Sequence, residues 1–149
     1  MINNFILSSH DQGVLKSMIL AGVISFYVDQ VKNFNKCKSK GLNKFFILIL
    51  HFFHHISYTF IHFSFLFNDK RLLILSLILI GLTVIHWSLN SNKCFATQYY
   101  NKSCEFDESK PMKVFTNRKN QTLFDKYYAI FYIIILIIKL YFIFKNIAL

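Results

Sequence analysis

The sequence predicts an all-α integral membrane bundle of three to four transmembrane helices with a central antiparallel helical hairpin. Three observations predict it. Hydrophobic residues make up 54% of the 149 positions, and they are gathered in blocks. Those blocks are long: 45–67 and 72–89 contain no Asp, Glu, Lys or Arg, and 127–144 contains only Lys139. Charge is confined to the segments between them. A bilayer core takes about 20 helical residues. An open strand would leave its backbone unpaired in lipid, so the blocks should be helices.

The elements follow in order within a single membrane domain, 1–149. The N-terminal "MINNFILSSHDQG" has no positive n-region and no small-residue cleavage site, so no removable signal peptide is expected. Segment 14–29 carries the apolar run Ser17 to Val28 between Lys16 and Asp29. Ser9 and Gln12 stand at capping-box spacing before it. This helix spans if Lys16 snorkels to the headgroups; otherwise it lies in the interface or packs on the others. Spans 45–67 and 72–89 are separated only by Asn68-Asp69-Lys70-Arg71, which makes them antiparallel neighbours. A polar loop, 90–126, leads to the last span, 127–144.

The net charge is +10, and twelve of the seventeen Lys and Arg lie in the 29–44 and 90–126 loops. That clustering marks membrane flanks and excludes the single basic face that a nucleic-acid partner requires. The basic loops should favour anionic lipid headgroups, at about 1 kcal/mol per residue near the surface. Other membrane subunits are possible partners. Both loops fall on one side, and the positive-inside rule puts that side in the cytoplasm. A second set of features points the other way. Cys94 and Cys104 form a candidate disulfide, and Asn101 and Asn120 head candidate glycosylation sequons. Both features belong to an oxidising, lumenal compartment. The alternatives are two reduced thiols, and sequons that arise by chance in an Asn-rich chain. Cys37 has no evident partner.

Four of the six histidines occur in "HFFHHISYTFIH", His51 to His62. On a helix, His51, His54, His55, Tyr58 and His62 share one arc of about 100°. Ionisable groups are costly in lipid, so this stripe should face the bundle or a wet cavity. On the next span Ser76, Thr83, His86, Trp87 and Asn90 form a matching stripe. The register of the hairpin places His86 beside His54 and His55. Three readings follow. The imidazoles hydrogen-bond across helices as polar glue. They bind haem b or a transition metal, although the confident spans hold no Asp or Glu to support a metal ligand. Or they carry protons.

Taken together, His54-His55, His86-Trp87, Asn90, Asn92, Cys94 and Thr97 resemble a pattern found in small multi-pass membrane proteins of large DNA viruses. A looser bacterial version has Cys-Pro-Leu-Thr followed by Glu. Here Cys94-Phe95-Ala96-Thr97 has no Glu in the next four positions. The resemblance covers about residues 50 to 105. It implies a virus-encoded integral membrane protein, in a host or virion membrane, and no catalytic residues. The chain contains no Gly-rich phosphate loop, HExxH or Cys-x-x-Cys. The expectation is therefore a structural or accessory membrane protein, not an enzyme, without a cofactor. The first alternative is a haem- or metal-binding anchor subunit of a redox complex, using His86 with His54 or His55. The second is a proton-conducting protein.

Overall fold

A computed structural model describes residues 6–91, 94–106 and 121–145, and these are all helical or connecting segments. Helix α1 is Ser9–Lys32, α2 is Gly41–Phe63, α3 is Lys70–Leu89, α4 is Phe95–Ser103 and α5 is Gln121–Phe144. Short 3₁₀ turns, Phe34–Lys36 and Ser64–Leu66, follow α1 and α2. Every helix except α4 is long and apolar enough to cross a membrane, so the described residues hold four such helices.

Segment 14–29 belongs to one of them. At 1.5 Å per residue, the 24 residues of α1 rise about 36 Å. The helix starts one residue earlier than the Ser9/Gln12 spacing implies. Ser8 is the N-cap: its Oγ accepts the Asp11 N–H at 3.1 Å and donates to Asp11 Oδ2 at 2.7 Å. Asp11 Oδ1 also accepts the Asn68 N–H at 2.7 Å. That bond pins the start of α1 to the turn between α2 and α3. Helix α1 therefore begins at the Asn68–Arg71 end of the bundle and runs to the opposite end.

The two middle helices are joined by the short turn the sequence predicts. Their broadest packing, however, is elsewhere: α2 lies on α1, and α3 lies on α5. Between α2 and α3 the chain passes through the 3₁₀ turn and the extended residue Phe67, which is fully buried. Gly22 sets the closeness of α1 and α2. A β-carbon there would stand 2.7 Å from Ile56 Cδ1 and 2.8 Å from Thr59 Oγ1. Small residues let helices approach in this way. Gly22→Leu should therefore cost about 1–3 kcal/mol through overpacking. Gly81→Leu, with nothing within 4 Å of its β-carbon, should cost much less. Thermal unfolding of the two variants in one detergent checks the contrast, and equal losses would refute it.

The buried apolar side chains form two clusters. Met18, Phe60, Phe67, Leu73, Ile80, Tyr132, Leu136 and Leu140 pack where α1, α2, α3 and α5 meet. Phe34, Cys37, Ile47, Tyr100 and Cys104 pack at the far end of α1, beneath α4. Lys139, the one charged residue of span 127–144, donates from Nζ to the Phe65 carbonyl at 2.6 Å. The Tyr132 hydroxyl donates to the His62 carbonyl, also at 2.6 Å. Both satisfy carbonyls released where α2 ends.

Helix α4 lies within the segment that the sequence presents as a polar loop. A disulfide between Cys37 and Cys104 holds its C-terminal end to the segment after α1. The Cys94–Cys104 pairing expected from sequence is thus replaced, and Cys94 is a free thiol. Geometry explains why. Cys94 and Cys104 cap opposite ends of α4. They are about 15 Å apart along the helix axis, beyond the roughly 7 Å Cα separation that a disulfide tolerates. Asn101 is buried in α4, only 4% exposed, and does not present its amide for glycosylation. Asn120 lies outside the described residues.

Candidate functional site

The polar centre of the bundle lies between α1 and α2. The pairs 29/51, 25/55 and 22/59 share one antiparallel register across these helices. His51 Nε2 lies 2.5 Å from Asp29 Oδ2. His55 Nε2 lies 3.1 Å from His51 Nε2. Ser25 Oγ lies 2.8 Å from His55 Nδ1. Asn33 Nδ2 donates to Asp29 Oδ1. Exposure is 0% for Asp29, 3% for His51 and 4% for His55. A carboxylate without solvent must be paired or hydrogen-bonded, and His51 and Asn33 do that here.

Tyr100 covers this cluster from α4. Its ring stacks on His51 with centroids 4.6 Å apart and planes 19° apart. The ring is 2% exposed, and the hydroxyl is buried with no hydrogen-bond partner among the described residues. Burial and then the nearby Asp29 charge hold its phenol proton on, well above the ordinary range. The Cys37–Cys104 bridge lies one helical turn beyond Tyr100 and keeps α4 in place.

The other histidines of the stripe meet different neighbours. His54 faces Cys94. Burial raises the thiol pKa, but the His54 imidazole, together with the amide and hydroxyl of Thr97, more than offsets it and brings Cys94 down to about 7. His86 Nε2 accepts the Phe95 N–H at 3.0 Å. His54, His86, Cys94 and Thr97 thus converge on the start of α4. His62 donates from Nδ1 to the Tyr58 carbonyl at 2.8 Å in the tautomer that protonates that nitrogen. Its ring lies on Tyr128 of α5, with centroids 5.7 Å apart.

No family model, curated protein or solved structure matches this chain.

The sequence-predicted residues therefore separate into three places. His51 and His55 come together, but with Asp29 and Ser25 of α1 rather than with His86. His54 and His86 approach consecutive residues, Cys94 and Phe95, at the start of α4. There His86 Nε2 is taken up by the Phe95 N–H. Ser76 and Thr83 turn back on their own helix, donating to the Leu72 and Leu79 carbonyls at 2.8 Å each. Sequence reasoning missed Asp29, Ser25, Tyr100 and Cys37. A register drawn for α1 against α2 would have found the first two. The confident spans do hold no Asp or Glu; the acidic partner, Asp29, comes from α1, the segment whose span the sequence left open.

The environment of Cys94 gives a direct prediction. A thiol titrating near pH 7 is about half thiolate at neutral pH. Its alkylation by iodoacetamide should rise through pH 7 and level off above it. In His54→Ala the rise should move upward, toward the ordinary thiol range near 8.5. Identical pH profiles for the two proteins would show that His54 does not activate the thiol.

Proposed function

We propose that this chain is a small multi-pass membrane protein with a structural or accessory role, of the kind that large DNA viruses encode. One observation carries the reading: the polarity of the bundle is inverted. Asp11, Asp29, His51, His55, Ser64 and Ser76 are buried. Ile24, Phe53, Ile78, Leu82, Ile134 and Ile137, from all four long helices, are each more than half exposed, at 53%, 60%, 53%, 58%, 51% and 54%. In lipid that outward surface needs no further cover, and the polar groups find their partners inside. The convergence of His54, His86, Cys94 and Thr97 at one helix start supports treating the viral-type pattern as one structural unit.

The disulfide bears on sidedness. It joins the segment after α1 to α4, which supports placing both basic loops on one side. Disulfides persist in oxidising compartments, so we assign that side to the non-cytosolic face, against the bias of the positive charges. A proton-conducting role is less well supported, because the histidine stripe is divided among α1, α4 and α5. Thr59, between His55 and His62, spends its hydroxyl on the His55 and Ile56 carbonyls.

The test is fractionation and accessibility. The protein should remain in the membrane pellet after alkaline carbonate. In sealed cells, external protease should reach the 107–120 segment, and the chain should migrate differently on reducing and non-reducing gels. Release into the supernatant would overturn the membrane assignment. A protected loop with reduced cysteines would overturn the sidedness.

A further inference from the structure

We infer that Asp29, His51 and His55 form a binding site for a single divalent transition-metal ion of the zinc type. His51 Nε2 has two polar neighbours, Asp29 Oδ2 at 2.5 Å and His55 Nε2 at 3.1 Å. One ring nitrogen carries either one proton or one lone pair. Whichever it carries must serve both neighbours, so hydrogen bonds alone leave one contact underused. A cation would resolve this, because each of the three atoms can offer it a lone pair once Asp29 and His51 move apart from 2.5 Å to the spacing of two metal ligands. The three ligand atoms lie within 4.8 Å of one another.

The surroundings fit the same occupant. When His55 Nδ1–H donates to Ser25 Oγ, the lone pair of His55 is left on Nε2, aimed into the cluster. A metal-bound histidine is oriented by this kind of partner. Asn33 does the same for Asp29 through Oδ1, so Oδ2, which faces His51, is the oxygen that would ligate. Two imidazoles and one carboxylate suit zinc and similar ions, and three protein ligands leave a fourth position open. The Tyr100 hydroxyl, buried without a hydrogen-bond partner among the described residues, belongs to the ring stacked on His51 and would be available to a water in that position. The one carboxylate offsets half of a divalent ion's charge in a site that excludes solvent.

The proposal goes beyond an accessory membrane role and fails separately from it. The full chain, purified in detergent without a polyhistidine tag, is titrated with Zn²⁺ and with Co²⁺. One equivalent should bind, and the Co²⁺ spectrum should show nitrogen and oxygen ligation without a thiolate charge-transfer band. Ser25→Ala should weaken binding about tenfold, as expected for a supporting hydrogen bond. Asp29→Asn, His51→Gln and His55→Gln should each weaken it by more than about 100-fold, beyond the range of such a bond. His62→Ala should bind like the wild type. Helical circular dichroism reports whether each variant is folded. If a ligand variant fails to fold, the wild-type Co²⁺ spectrum decides alone. The inference is overturned if the folded wild-type chain takes up neither ion. A thiolate band implicating Cys94 overturns it too, as does uptake that survives the triple change in a folded chain. None of these outcomes alters the carbonate-extraction result on which the membrane role rests.

Discussion

Replacing His51 with phenylalanine is expected to destabilise the protein by about 3–5 kcal/mol. Phenylalanine keeps the ring over Tyr100 and most of the volume. It removes the one ring nitrogen that contacts the fully buried Asp29 Oδ2. Among the described residues the carboxylate would then keep only its hydrogen bond from Asn33. Removing the partner of a buried carboxylate leaves that group uncompensated, and this is why the cost is large. The double substitution His51→Phe with Asp29→Leu removes both partners. It should recover most of the loss, because replacing a buried pair with apolar groups is often close to neutral. Unfolding of the wild type, both single variants and the double variant in one detergent gives the coupling directly. Additive losses would mean that His51 does not hold Asp29.

Removing the disulfide should produce the next largest effect. Cys37 and Cys104 are 67 residues apart in sequence, so the bridge closes a long loop in the unfolded chain. Disulfides typically contribute about 2–4 kcal/mol, mainly by restricting the unfolded state, and a long loop favours the upper end. The paired substitution Cys37→Ser and Cys104→Ser should lower stability by that amount. It should also free the end of α4, which is otherwise secured by the Lys38–Glu105 ion pair at 2.9 Å and a backbone bond from Lys38. That ion pair is exposed and contributes little. Proteolysis at 94–106 should therefore accelerate as stability falls. An unchanged thermal midpoint in the double variant, or in the reduced wild-type protein, would show that α4 stays seated by packing alone.

These two predictions depend on residues that the sequence revealed unequally. The apolar blocks were legible because a spanning helix needs a long uncharged run, and such a run is visible in one dimension. The histidine stripe was legible for a similar reason: spacing along one helix fixes which side chains share a face. The partners of that face were not legible. His51, His54, His55 and His62 lie on one arc, yet they meet α1, α4 and α5 at different heights. Helix α1 meets α2 closely at Gly22, where the missing β-carbon lets Ile56 and Thr59 approach. The sequence marks that glycine but not its neighbours. Asp29 looked like the polar end of a helix until the register set it level with His51.

The cysteines make the same point. Three thiols allow three pairings, and nearness in sequence favoured Cys94 with Cys104. Helix α4 separates that pair by its own length and brings Cys104 to Cys37, with Cα atoms 4.4 Å apart. The sequence by itself determined that this protein is helical, has helices of membrane-spanning length, and carries an ordered row of imidazoles, because each of these is a property of consecutive residues. The tertiary structure decided that two of those imidazoles face a buried carboxylate, and which cysteines join. These depend on which helices approach and at what register, and that is set by packing between residues far apart in the chain.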